Sequence, residues 1–165
     1  MTTPTLPSQT PSTPTLAPVA AVAGPSHDDA AALVRLVHLH AQLQVSDGLD
    51  VVWRPDFPQD PYTIDAWYPP GTDGRRGLES VLVWFQTVGT LVKHGLLDPA
   101  IARDIARADL VWARIGPMAV AERGRTGDEE MWGGFELLAK VHAAETAAAD
   151  QAAGAIELEA DGPRD

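Results

Sequence analysis

Five histidines, two arginine pairs and one acid among aromatics are the groups in this 165-residue chain whose types could carry chemistry. His38 and His40 stand two apart, and on a helix that separates them by about 200° around the axis, too far to share one ion. His94 and Asp98 stand four apart, but Gly95 between them ends a helix, and Asp98 before Pro99 already suits a helix cap. His142 falls on an apolar stripe, where a hydrogen-bonded, half-buried imidazole is the ordinary outcome. No HxxxH or HExxH spacing occurs, and the absence of cysteine excludes disulfides, thiolate zinc sites and iron–sulfur clusters. The expectation is therefore no metal and no cofactor. Nucleophilic catalysis has as little support, because Ser46 and Ser80 sit in no G-x-S-x-G setting.

Asp73-Gly74-Arg75-Arg76-Gly77 places two arginines and free backbone donors ahead of an apolar helix, an arrangement that can meet an anion. Glu79 answers the same helix dipole, however, and no Gly-Lys-Ser/Thr completes a phosphate loop, so a solvated loop is the favoured reading. Arg123 and Arg125 are similarly balanced by Asp128, Glu129 and Glu130. Glu136, between Phe135 and Leu138, is an acid at a core edge that could titrate abnormally. Pairing with Arg114 or Arg123 is the commoner fate of such a residue. The best candidate surface is aromatic: Trp53, Phe57, Tyr62 and Trp67, dispersed among Asp56, Asp60 and Asp65, suit a cationic or sugar-like ligand or a partner's helix. Against this stands a lid that completes the protein's own core, which is weighed more heavily.

The balance of 23 acidic against 12 basic residues, net charge −11, disfavours nucleic acid and anionic membranes as partners. No apolar run approaches the roughly 20 residues of a spanning helix. Ala21-Val22-Ala23 looks like a signal cleavage site, but no basic region precedes it and Pro18 interrupts the short apolar run before it. The expected placement is cytoplasmic. At 45% apolar, the chain can bury one domain's core.

Residues 1–26 hold six of the 14 prolines and no charged side chain, and read as a disordered tail. Residues 27–148 form the single helical domain, and 149–165 a frayed or disordered acidic tail. The first helix should run from Ser26–Asp29 to about Val45, stopped by Ser46-Asp47-Gly48. Residues 49–77, rich in proline and aromatics, should be an irregular segment packed over the helices. Leu78 to His94 is the strongest helix, apolar on nearly every side. A third opens at Asp98-Pro99 and should kink or end at Pro117. After a loop at 123–127, Asp128 to Glu130 should open a fourth, with Met131, Phe135, Leu138 and His142 on its stripe. The fold class is thus all-α: a compact bundle of about four helices, with Trp84, Phe85, Trp112, Trp132 and Phe135 central to its core.

Several of these stretches resemble a known family. Val83-Trp84-Phe85-Gln86, Val92-Lys93-His94-Gly95-Leu96-Leu97-Asp98, Trp112, Arg123 and Phe135-Glu136-Leu137-Leu138 together are similar to small bacterial helical proteins classed only as a domain of unknown function. The resemblance covers Leu78 to about Glu145. It implies an all-helical fold and a bacterial origin, with no activity to carry over. In that family an acid commonly follows the aromatic pair, where this chain has Gln86. The expected function is a noncatalytic protein-interaction or regulatory module that binds a protein partner or itself through the aromatic segment. The alternative is a small-molecule or anion-binding protein, or an enzyme, using Glu136, His94 and the Arg75–Arg76 loop. An enzyme is the less favoured of these.

Overall fold

The computed structural model describes residues 27–160, with side chains for residues 29–153. The expected tail over 1–26 and the last residues of the acidic tail lie outside the described residues. Within them the chain is all-helical, as expected, but the helices number seven rather than about four: α1 (His27–Gln42), α2 (Val45–Val52), α3 (Pro61–Trp67), α4 (Asp73–Lys93), α5 (Pro99–Ile105), α6 (Ala108–Thr126) and α7 (Gly133–Ala160).

α4 is the axis of the fold. Leu78, Val81, Leu82, Trp84, Phe85 and Val88 are all buried along it, because α2 covers one side and α7 another. Both crossings are made backbone to backbone. A Cβ on Gly48 of α2 would stand 2.1 Å from the Gly77 carbonyl oxygen, and one on Gly89 would stand 1.9 Å from that of Gly134 at the start of α7. Gly48 is therefore not the helix stop expected of it, and Gly77 does not belong to an irregular segment. Each lies inside a helix, where the missing side chain admits a neighbouring backbone. The break after α1 falls instead at Gln44, which takes a left-handed φ of 53°.

α4 begins five residues earlier than Leu78, at Asp73. Thr72 caps it, its Oγ1 accepting from the Arg75 amide at 3.3 Å, so Arg75 and Arg76 belong to a helix and not to a loop. The irregular segment also contains a helix, α3, opened by Asp60 and Pro61. The Asp60 carboxylate accepts from both the amide and the hydroxyl of Thr63 at 2.7 Å.

The expected third helix is two helices, α5 and α6, parted at extended Ala106. Pro117 does not end α6, which continues to Thr126. Part of the reason is Gly116: the residue before a proline ordinarily clashes through its Cβ with the ring, and glycine has none. The space a Gly116 Cβ would take holds the Trp112 indole. The expected loop at 123–127 lies instead at 127–132: residues 123–126 belong to α6, Gly127 at φ 73° ends it, and Asp128 to Glu130 open no helix, because α7 starts at Gly133 after Trp132 at φ 62°.

The aromatic core runs across α4, α6 and α7. Phe85 stacks on Phe135 at 4.6 Å between centroids, and Trp84 and Trp112 meet this pair edge-on at 4.9 Å. Trp84 also donates from Nε1 to the Leu36 carbonyl at 3.3 Å, which ties α1 to the core. Trp112 and Trp132 are half-buried at its margin. Past Thr146, α7 continues as helix, and residues 147–153 are exposed.

Candidate functional site

Two groupings of polar side chains draw on the first turns of α4. The first is a buried charge network. Arg75, 4% exposed, donates to Asp65 from α3 at 2.6 Å, to Glu79 one turn on at 2.9 Å, and to Glu122 from α6 at 2.6 Å. The second oxygen of Glu122 accepts from Trp132 Nε1 at 2.9 Å, and Arg125 pairs with Asp65 as well. Burial works against the Arg75 charge, but its hydrogen bonds to Glu79 and Asp65 outweigh it and hold the guanidinium pKa above its ordinary value. Burial likewise pushes the Asp65 carboxyl upward, and the bonds from Arg75 and Arg125 reverse it to a net lowering. Each of the three guanidinium nitrogens of Arg75 bonds a different carboxylate in a buried setting, so its charge is already answered. Its role is to clamp α3, α4 and α6 together.

Beside it, Arg123 donates from Nε to the Met131 carbonyl at 2.5 Å and from Nη1 to Glu136 at 2.6 Å, and lies over the Trp112 ring. The Glu136 carboxyl sits below its ordinary value because Lys140 and then Arg123 hydrogen-bond its ionised form. Arg123 is thus the partner of Glu136. Arg114 is used elsewhere, donating to the Val52 and Arg54 carbonyls at 3.1 and 2.6 Å. Glu136 is committed to two cations and is no poised acid. His94 is the exposed C-cap residue of α4.

The second grouping is an open cleft of about 870 Å³ between the α1–α2 junction, the end of α3 and the first turns of α4. Trp67 and Tyr68 give it ring surface, and Gln44, Arg54, Arg76 and Ser80 give it polar groups. Arg76 is partly engaged, with Nη1 on the Gly71 carbonyl at 2.7 Å and Nη2 on Asp73. Among the described residues, the side chains of Gln44, Arg54 and Ser80 make no hydrogen bond or ion pair, so their polar groups remain open to a ligand.

The aromatic segment divides in two. Phe57 is buried, stacked on Tyr68 and covered by the Arg114 guanidinium at 5.5 Å, so it is core and not surface. Buried Ile64 anchors α3 in the same way. Trp53, Tyr62 and Trp67 are 48%, 83% and 54% exposed. Two of the three acids expected to accompany them are spent, since Asp60 caps α3 and Asp65 holds two arginines, while Asp56 is exposed. Of the surface and polar residues expected together, the structure places Trp67 and Arg76 in one cleft. It puts Arg75 and Phe57 in the interior and Glu136 in a separate ion-pair cluster.

Arg54, Gln44 and Ser80 carried no motif in the sequence, and only the meeting of α2 with α4 brings them together. The cleft gathers side chains from residues 42 to 80, a stretch that precedes most of the aromatic core.

With the site in view, the comparisons can be set beside it. The model of a domain of unknown function, DUF4760, matches residues 29–141, more than half of the chain, and the chain belongs to that family. The match begins well before Leu78 and takes in the helices that form the cleft. No curated protein and no solved structure matches the chain. Among the described residues, no helix is long and apolar enough to cross a membrane.

Proposed function

We propose that this protein is a noncatalytic protein-interaction module that holds its partner with the aromatic surface built by α2, α3 and the start of α4. One observation carries the reading: a segment anchored by buried Phe57 and Ile64 still presents Trp53, Tyr62 and Trp67 to solvent. Large rings held on a rigid support lose little entropy when covered, which is why tryptophan and tyrosine dominate interface hot spots. The charge networks support the noncatalytic part of the reading, since Arg75 is bound to Glu122, and Arg123 to Glu136 and the Met131 carbonyl. A cytoplasmic, regulatory role fits the same surface.

The test begins with full-length protein isolated from its host, the co-purifying protein identified by native mass spectrometry and then purified. A Tyr62→Ala/Trp67→Ala chain should keep its helical circular dichroism and lose binding to that purified partner. A double variant that binds as tightly as the parent overturns the reading.

The cleft itself favours one alternative, a small polar ligand held by Arg54, Arg76 and Ser80. In that case, an Arg54→Ala/Ser80→Ala chain should lose the ligand-induced rise in Tm that the parent shows.

A further inference from the structure

α6 is apolar on two sides. One carries Val111, Ile115 and Met118 into the core. On the opposite side Leu110, Ala113, Pro117, Val120 and Gly124 recur three and four residues apart, the spacing of a helix-pairing seam. Leu110 and Val120 are 46% and 53% exposed, and Ala113 and Gly124 are exposed as well. An open groove of about 620 Å³ lies along the middle of this seam, walled by Pro61, Ala113, Gly116, Pro117, Val120 and Ala121. No residue of the seam is charged. The charges of α6 are drawn to its flanks, where Arg107 binds Asp109, Arg114 binds the Val52 and Arg54 carbonyls, and Arg125 binds Asp65 and Glu122. A surface helix ordinarily turns a polar face to water, so a second apolar face marks a surface that something covers.

We propose that this face pairs reversibly with the same face of a second copy, the two α6 helices crossing antiparallel at Pro117. The seam is distinct from the surface assigned above to a partner, since Trp53, Tyr62 and Trp67 do not line its groove. The inference therefore goes beyond the interaction reading and does not rest on it.

Size selects the occupant. Leu110 stands seven residues before Pro117 and Gly124 seven after it, while Ala113 stands four before and Val120 three after. An antiparallel crossing at Pro117 lays Leu110 over the other copy's Gly124, where a Cβ would meet nothing within 4 Å. It lays Val120 close to the other copy's Ala113. Large thus meets small along the seam, the alternation by which facing surfaces interdigitate. A parallel pair would set leucine on leucine and glycine on glycine. The antiparallel pair also brings the positive end of each helix beside the negative end of the other.

Charge sets the strength. Two copies at −11 repel, and the uncharged seam is a place where they can touch without opposing like charges. The long-range repulsion remains, and one helix face about 21 Å long is small beside the roughly 800 Å² per copy of a stable dimer. The pairing is therefore weak. Salt screens the repulsion and leaves the apolar contact, so added salt tightens the pair, whereas an interface built on ion pairs would loosen.

Sedimentation equilibrium of the full-length protein, from micromolar to millimolar concentration, should show the mass rising toward that of a dimer. The rise should come at lower concentration when sodium chloride is added. Val120→Lys and Glu129→Gln change the net charge equally, and Glu129 is exposed and off the seam. Val120→Lys should weaken pairing by roughly tenfold or more, because it drives a charge into an apolar contact. Glu129→Gln should leave pairing unchanged or tighten it. Circular dichroism checks that each variant is folded, and Ala113→Lys repeats the test across Pro117. The chain has no cysteine, so Leu110→Cys and Gly124→Cys chains carry one thiol each. Mixed, they should be joined by a short thiol-specific cross-linker much faster than either is alone. A protein that stays monomeric to millimolar concentration overturns the proposal. So does a dimer that is indifferent to Val120→Lys and Ala113→Lys, one that salt dissociates, or faster cross-linking of Leu110→Cys with itself. None of these variants alters Tyr62 or Trp67, so failure here leaves the partner reading to its own test.

Discussion

Arg75 makes three carboxylate bonds from a buried position, and the cost of losing it is set by what it leaves behind. Removing one member of a buried ion-pair cluster strands the remaining charges and typically costs about 3–5 kcal/mol. Arg75→Ala should lose stability on that scale in urea unfolding, with little relief from added salt, because the interior charges are shielded from it. Arg76→Ala, one residue on and exposed, should change stability by less than about 1 kcal/mol. His142, fully buried, is a titratable group outside that cluster. Its Nδ1 accepts from the Ala108 amide at 3.3 Å, stitching α7 to the α5–α6 break, and its Nε2 has no partner among the described residues. Burial lowers its pKa below the ordinary 6.5, against the attraction of Glu145 and Asp109 and with the repulsion of Arg103 and Arg107. The unfolded chain therefore takes up this proton first. Stability is whole above pH 6.5 and falls as the pH drops below it, until the folded imidazole itself titrates. His142→Gln should flatten that part of a Tm-against-pH curve. The acid-side loss from Asp65, Asp109 and Glu136 should remain at lower pH, because those carboxyls are held below their ordinary values.

At the scale of elements, the sequence was most legible where one side-chain property repeats. The apolar density of Val81, Leu82, Trp84, Phe85 and Val88 marks α4, and Asp98 ahead of Pro99 marks the start of α5, whereas the same pairing at Asp60-Pro61 is lost within a segment that reads as irregular. It was least legible at glycine. A glycine that ends a helix, such as Gly127, and one that admits another backbone, such as Gly48, look alike until the crossing partner is known. That ambiguity hid α2 and the first turns of α4, and with them the cleft, whose polar lining comes from both. The Arg75 network was hidden for a related reason, since Asp65 and Glu122 are distant in sequence and meet only through tertiary packing. The two roles of glycine separate on substitution. Gly89→Ala drives a methyl into the Gly134 backbone and should cost about 1–3 kcal/mol in thermal unfolding, and more if α7 cannot shift. Gly124→Ala, in α6 with open space around it, should stabilise by up to about 1 kcal/mol through helix propensity alone.

For the whole molecule, protection should follow burial along α7. Phe135, Leu138 and His142 are buried, whereas residues 147–153 are exposed and rely on alanine's propensity. A lone helical end of that length is marginal in water. Hydrogen exchange should find the amides of 135–142 opening only with global unfolding, and those of 147–153 exchanging orders of magnitude faster. Equal protection along α7 would mean that something covers its far end, and a second copy would be the first occupant to examine.

The two glycine crossings on α4 also set a timetable for the newborn chain. Once residue 77 has left the ribosome, α2 can already seat against the emerging α4, because its own contact, Gly48, was made earlier. The opposite face has to wait until Gly134 is translated. At about 5–20 residues per second, the stretch from residue 89 to residue 134 takes several seconds. For that interval Phe85 and Val88 lack their permanent cover, and this is the window in which a chaperone that grips exposed apolar helix would find the chain.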